Sequence, residues 1–199
     1  MSKLYFNYGA MNSGKSTALL QVAHNYEQQG MKVLIIKPAI DTKAEDRVSS
    51  RLGIERKVDI LLTKSGRIVN EMKDVPDAIL VDEAEFLTRK QVDELYAITK
   101  EYDVPVLCYG LRTDFQSKGF EGATRLLELA DDIKELKTIC KCGSKATYNL
   151  RMNRINNELV PVFTGEQVSI DGIDAEYDSV CRPCYKKLRR KYVKEEENK

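Results

Sequence analysis

The sequence predicts an α/β fold, a mainly parallel sheet followed by a small C-terminal domain built on cysteines. Strand-length apolar runs alternate with helical periodicity up to about residue 137, where that rhythm stops. A glycine-containing turn joins the first apolar run to the first helical stretch. Four of the five cysteines then fall in two close pairs, Cys140 with Cys142 and Cys181 with Cys184.

Taken in order, Leu4 to Tyr8 reads as a strand that ends at Gly9. A helix follows through Thr17 to Tyr26, with Leu19, Leu20 and Ala23 on one face and Gly30 as its C-cap. Lys32 to Lys37 is a buried strand stopping before Pro38, so the first 37 residues spell a βαβ unit. Ala39 to Gly53 is polar and without sustained periodicity, a loop long enough to serve as a lid. Val58 to Leu62 and Ala78 to Val81 are further short strands, the second delivering Asp82 and Glu83 at its end. Thr88 is placed to N-cap a helix over Gln91 to Tyr102, whose inner face is Val92, Leu95 and Ile98. Val104 to Tyr109 is another strand. These elements divide the chain into a nucleotide-binding α/β domain over residues 1–137 and a metal-binding domain over 138–199 with a charged C-terminal helix.

Gly9-Ala10-Met11-Asn12-Ser13-Gly14-Lys15-Ser16 fits G-x-x-x-x-G-K-[ST] in the strand–turn–helix setting that this motif needs, followed by Thr17. The glycines allow successive backbone N–H groups to face phosphate, and the helix adds its positive dipole end. Lys15 reaches the β- and γ-phosphates, and the Ser16 hydroxyl ligates magnesium. Asp82, ending an apolar strand on a neighbouring strand of the sheet, supplies the carboxylate that such a metal requires. Glu83 is the proton acceptor, from water in a hydrolase or from a substrate hydroxyl in a kinase. The fold class is therefore a P-loop, RecA-like sheet.

An all-thiolate quartet suits tetrahedral zinc in a closed structural site, a zinc ribbon, with a redox pair as the alternative. The first pair has one intervening residue where two to four are usual. The single histidine, His24, lies in a helical stretch and is read as structural.

Together, the Gly-x-Met-x-Ser-Gly-Lys-Ser loop, Asp82-Glu83-Ala84, Thr113-Asp-Phe-Gln116, Phe120 and Tyr177-Asp-Ser-Val-Cys181 resemble the type II, zinc-containing thymidine kinases. The resemblance spans nearly the whole chain. It implies transfer of the ATP γ-phosphate to the thymidine 5′-hydroxyl in nucleotide salvage, with Glu83 as base. Residues 9–17 and Asp82 to Glu85 would hold the nucleotide. The segment between the cysteine pairs would be a lasso folding over thymine, using backbone groups of Val168, Ser169, Ile170, Asp171 and Gly172. Met11, Phe86, Leu111, Phe115, Phe120 and Tyr177 would surround the base, and Arg151 would position phosphate or lasso. A homotetramer and feedback inhibition by dTTP are further implications. The pattern is departed from at Glu85, where the family has Gln. It is departed from again in the polar loop, which keeps only the Asp46-Arg47 and Ser49-Ser50-Arg51 elements.

Composition narrows the alternatives. With 32 Lys plus Arg against 31 Asp plus Glu there is no overall field to attract a nucleic-acid backbone, and none is expected as a partner. No apolar run approaches the roughly 20 residues of a membrane span. The N-terminus reads as a strand and lacks the features of a signal peptide, so a cytoplasmic location is expected. The second functional reading is a P-loop regulator or ATPase whose zinc ribbon binds nucleic acid or protein.

Overall fold

The structure, a computed structural model, describes residues 1–40, 46–168 and 175–197. These divide into two compact units: residues 1–8, 14–112 and 120–136 form the first, and residues 9–13, 113–119 and 137–199 the second.

The first unit holds β1 (Leu4–Tyr8), α1 (Lys15–Gln28), β2 (Val33–Pro38), β3 (Arg47–Ser49), β4 (Glu55–Lys57), β5 (Ile60–Leu62), α2 (Ile68–Glu71), β6 (Ala78–Val81), α3 (Arg89–Glu101), β7 (Val106–Gly110), α4 (Glu121–Leu129) and β8 (Asp132–Glu135). Six of these strands form one sheet in the order β5-β2-β6-β7-β1-β8, with every pair parallel. From β1 the chain crosses one way to β2, whereas β6, β7 and β8 are reached in the other direction. Right-handed crossovers then place α1 on one face and α3 with α4 on the opposite one. Accordingly, α1 packs on β2, β6 and β7 while α3 packs on α4, β1 and β7.

Local chemistry explains the helix ends. The N–H of Gly30 bonds the Glu27 carbonyl and that of Met31 the Tyr26 carbonyl, the paired closure that a left-handed residue at φ 74° permits. Thr88 caps α3 reciprocally: its hydroxyl accepts from the Gln91 N–H, and the Gln91 side chain accepts from the Thr88 N–H. Val92, Leu95 and Ile98 are buried on the inner face, each contributing about 1.5–3 kcal/mol of transfer free energy. Against the other side of the sheet, Leu19, Leu20 and Ala23 join Val33, Ile35, Leu80 and Tyr109 in one apolar cluster.

Three expectations are corrected. The stretch 39–53 is not all loop, because β3 and β4 pair as an antiparallel hairpin with Val48 fully buried against the α1 cluster. One buried valine between polar neighbours is enough to dock a strand and too little to show periodicity. Asp82 does not lie on a strand next to β1, since β7 runs between β1 and β6. His24 is exposed on α1 and is no part of the core.

The second unit contains β9 (Thr138–Ile139), β10 (Lys145–Ala146), β11 (Tyr148–Ile155), β12 (Glu158–Val162), β13 (Ala175–Val180) and α5 (Arg182–Glu197). Here β11 is the centre of a three-stranded antiparallel sheet, and β9 and β10 make a separate hairpin. Its core is small: Cys140, Ala146, Leu150, Phe163, Val180, Cys181 and Tyr185. Among the described residues no helix is long and apolar enough to cross a membrane.

Thr88→Ala removes one half of the α3 cap, the hydroxyl that accepts the Gln91 N–H, and keeps the backbone N–H from which the Gln91 side chain accepts. The expected cost is about 1 kcal/mol, a fall of roughly 2–4 °C in melting temperature measured by calorimetry.

Candidate active site and metal centre

In the first unit, charged side chains collect at the carboxyl ends of β2 and β6 and at the start of α1, where an open parallel sheet places its ligands. The N-cap of α1 is Gly14, left-handed at φ 79° and bringing no side-chain acceptor to the first turn, which suits an incoming anion. One residue into that helix, the Ser16 hydroxyl lies 3.3 and 3.4 Å from the two Asp82 carboxylate oxygens. Asp82 is buried, and its N–H donates to the Ile36 carbonyl at 3.0 Å, continuing the β2–β6 register. Burial pushes the Asp82 pKa up, opposed chiefly by the Lys37 ammonium. The Lys15 pKa is pushed down by burial, while Glu85, Asp82 and Glu83 pull it back.

Glu83 carries the backbone strain of the site. At φ 52° it is left-handed, which costs a non-glycine residue on the order of 1–3 kcal/mol, and its carbonyl accepts from the Phe86 N–H to open a 3-10 turn over Ala84–Phe86. That turn is held from outside by α4: a Cβ on Gly122 would stand 2.6 Å from the carbonyl oxygens of Ala84 and Leu87, so only glycine allows the approach. The Glu83 carboxylate faces the Lys37 Nζ at 3.6 Å.

Glu85 points inward from the same turn and is enclosed. Its Oε2 accepts from the Leu111 N–H at 3.0 Å, and a Cβ on Gly110 would come within 2.5 Å of that oxygen. Desolvation first, and then the charge of Glu83, pushes its pKa up to about 8, with Lys15 opposing. Enclosure thus favours the carboxylic acid over the carboxylate.

The second unit gathers loop segments onto its antiparallel sheet. Asn149, buried on β11, accepts from the Met11 N–H at 2.8 Å through Oδ1 and donates to the Thr113 carbonyl at 2.7 Å through Nδ2. Tyr185 donates its hydroxyl to the Phe115 carbonyl at 2.7 Å. Gln167 donates to Asp114 at 3.1 Å, and the Asp114 carboxylate also accepts the N–H groups of Gln116 and Lys118. Phe115 is fully buried beneath the Arg151 guanidinium, 5.2 Å from its ring centre. Within the Gly9–Ser13 segment, the Ser13 hydroxyl is buried and has no hydrogen-bond partner among the described residues.

The sulfur atoms of Cys140, Cys142, Cys181 and Cys184 all lie within 4.8 Å of one another and could hold a metal ion. All four are free thiols, and Cys142 and Cys181 stand 3.5 Å apart, far beyond a disulfide bond. The one-residue spacing works because Cys140 to Gly143 form a turn closed by the Gly143 N–H to Cys140 carbonyl bond, and the Cys140 N–H bonds Ser144 just beyond. Backbone N–H groups directed at sulfur lower the Cys140 pKa and bring that of Cys142 down to about 6. Such donors favour the thiolate that a metal binds.

The residues expected at the site are distributed as follows. Lys15, Ser16, Thr17, Asp82 to Phe86, Leu111 and Phe120 belong to the first unit; Gly9 to Ser13, Phe115, Val168 and Tyr177 belong to the second. Phe86 and Phe120 meet edge to face at 5.4 Å. Tyr177 sits on β13 opposite Arg151. Ser169, Ile170, Asp171 and Gly172 lie outside the described residues. Two functional candidates escape a motif reading. Lys37 is recognisable only as a charged residue closing a buried strand, and Asn149 as one amide in a polar stretch after the cysteines.

A parallel sheet carrying this loop, with an acid pair at the end of β6, defines a phosphate-loop nucleotide-binding protein with a four-cysteine cluster that could hold a metal ion. A family model described as thymidine kinase matches residues 2–185. The chain is 46% identical over 192 residues to the thymidine kinase of Rhodopirellula baltica, covering 94% of this chain and 89% of that one. With that of Coxiella burnetii the identity is 46% over 189 residues, covering 92% and 94%. For Photorhabdus laumondii it is 45% over 192 residues, covering 93% and 92%. The chain belongs to the thymidine kinase family.

The raised pKa of Glu85 has a stability signature. Its carboxyl ionises near 4.5 when unfolded and near 8 when folded, so the unfolded chain loses the proton first and stability falls as pH rises between those values. Glu85→Gln, which has no proton to lose, is expected to melt a few degrees above wild type at about pH 7.5 and to converge with it near pH 5. Thermal melts of both proteins across that range check this.

Proposed function

We propose that the protein transfers the γ-phosphate of ATP to the 5′-hydroxyl of thymidine. Family membership supports the reaction, and one local arrangement supports the assignment of roles: Lys15 and Ser16 at the mouth of α1 face Asp82 and Glu83 at the end of β6. In this reading the backbone of residues 9–16 and the Lys15 ammonium bind the triphosphate, and the unpartnered Ser13 hydroxyl is suited to a phosphate oxygen. Glu83 accepts the proton of the 5′-hydroxyl as its oxygen bonds to the γ-phosphorus, and the bond to the departing ADP oxygen breaks. Magnesium would be held by the hard oxygens of Ser16 and Asp82 and would offset phosphate charge. Ala84 and Glu85 line the nucleotide side of the turn.

For the nucleoside, the reading assigns Met11, Phe86, Leu111, Phe115, Phe120, Tyr177 and the backbone of residues 168–172. Hydrogen bonds to the base discriminate better than apolar fit, because a wrong base leaves buried polar groups unpaired. Zinc would occupy the four-cysteine centre, whose soft sulfur donors fit it. Assembly as a homotetramer and inhibition by dTTP rest on the family resemblance, and a cytoplasmic location on the sequence reading.

Purified protein with ATP, magnesium and a panel of deoxynucleosides should form ADP in a thymidine-dependent manner, with thymidine monophosphate appearing by mass spectrometry. Turnover without nucleoside would instead identify an ATPase. Glu83→Gln should bind ATP normally and lose about 10²- to 10⁴-fold in kcat. Unchanged turnover would remove Glu83 as the base. Cys181→Ser should lower the metal content measured by atomic absorption and weaken thymidine binding together.

A further inference from the structure

Glu83 is a poor base unless its orientation is fixed. The side chain is 37% exposed, has three rotatable bonds, and follows directly on Asp82, whose charge repels it. What the structure sets against this is Lys37, at the carboxyl end of β2 and only 9% exposed. Because β2 and β6 pair in parallel with Ile36 opposite Val81, the next residue on each strand brings Lys37 alongside Asp82. The Lys37 Nζ donates to the Arg47 carbonyl at 3.3 Å and stands 3.6 Å from Glu83 Oε1. The first contact anchors the ammonium to the β3–β4 hairpin. The second is too long for a direct hydrogen bond, so it steers the carboxylate by Coulomb attraction without closing such a bond on that oxygen. Lys15, the other cation near the acids, is assigned to the phosphates.

We propose that Lys37 is a positioning residue for the reaction, anchored to the Arg47 carbonyl and holding the Glu83 carboxylate in the orientation that receives the hydroxyl proton. This rests on the reading of Glu83 as base. Burial of a lysine at the end of a core strand is costly without partners, and its partners here are a hairpin carbonyl, the adjacent Asp82 charge and the base itself. The role belongs to kcat, since the ammonium acts through the Glu83 carboxylate.

Lys37→Met should lower kcat about 10- to 100-fold, the scale of a misplaced catalytic group, with KM for ATP and thymidine changed by no more than about threefold. In Lys37→Ala, added ethylammonium should restore kcat several-fold, whereas 1-propanol, of similar size and neutral, should not. A Lys37→Met enzyme with kcat within about twofold of wild type, or a loss confined to KM, overturns the proposal. So does a folded Lys37→Ala enzyme that responds equally to both additives. Should the neutral variants fail to fold, Lys37→Arg carries the test: it keeps a cation and should retain at least about a tenth of kcat, and a folded variant below that overturns the proposal. Wild-type protein that makes no thymidine monophosphate would defeat the proposed reaction, whereas active wild type with an unaffected Lys37→Met defeats the positioning role alone.

Discussion

Charge held out of water at the end of β6 is the constraint around which the first unit is arranged. Asp82, Glu83 and Glu85 come within four consecutive residues, and an unbalanced cluster of that kind would be strongly destabilising in a low-dielectric setting. Three devices relieve it. The parallel register of β2 and β6 delivers the Lys37 ammonium next to the first two acids. The opening of α1 brings the Ser16 hydroxyl against Asp82 and the Lys15 ammonium into the field of all three. Glu85, the most enclosed, is pushed by that enclosure toward its neutral form. The strained backbone at Glu83 follows from the same arrangement, because a left-handed residue turns the chain sharply enough to send consecutive acids in different directions.

Legibility from sequence follows how local each signal is. Thr88 and the Val92, Leu95, Ile98 stripe lie within one helix, so the cap and its buried face could be read directly. The phosphate-loop motif and the Asp82-Glu83 pair are contiguous and equally plain. By contrast, β8 carries four polar or half-exposed residues at the sheet edge, where pairing to β1 comes from the backbone and no apolar pattern marks it. The separation of β6 from β1 by β7 is a property of long-range pairing, which composition does not encode. Lys37 was invisible for the same reason: its meaning depends on the neighbouring strand and on the hairpin carbonyl of Arg47, both distant in the chain or outside any motif.

Within the second unit a similar logic operates with neutral groups. A core of a few side chains around four cysteines is too small to fix long loops by burial, and hydrogen bonds from buried side chains substitute for it. Asn149 is the clearest instance. Its amide accepts from one backbone N–H and donates to one backbone carbonyl, so its two ends are not interchangeable, and it joins residues 9–13 and 113–119 through a single rigid group. Tyr185, one residue after the last cysteine, ties Phe115 to the same framework. The cysteine cluster is thereby connected to loop geometry through α5 and β11.

Glu85 then ceases to be an anomaly. A glutamate in place of the amide of the family pattern would add a negative charge beside the phosphates only if it ionised. Enclosed by the turn and the bare backbone of Gly110, with the Leu111 N–H as its partner, it is pushed toward a neutral acid of nearly the size and shape of glutamine. An oxygen that accepts the Leu111 N–H is present in either residue. In the proposed reaction a polyanionic nucleotide would raise the cost of ionising Glu85 further, since like charges disfavour the carboxylate, and Lys15 engaged with phosphate would oppose the shift less. On that reading substrate binding would favour the neutral state further, and a buried acid pushed toward its protonated form presents nearly the surface that glutamine would.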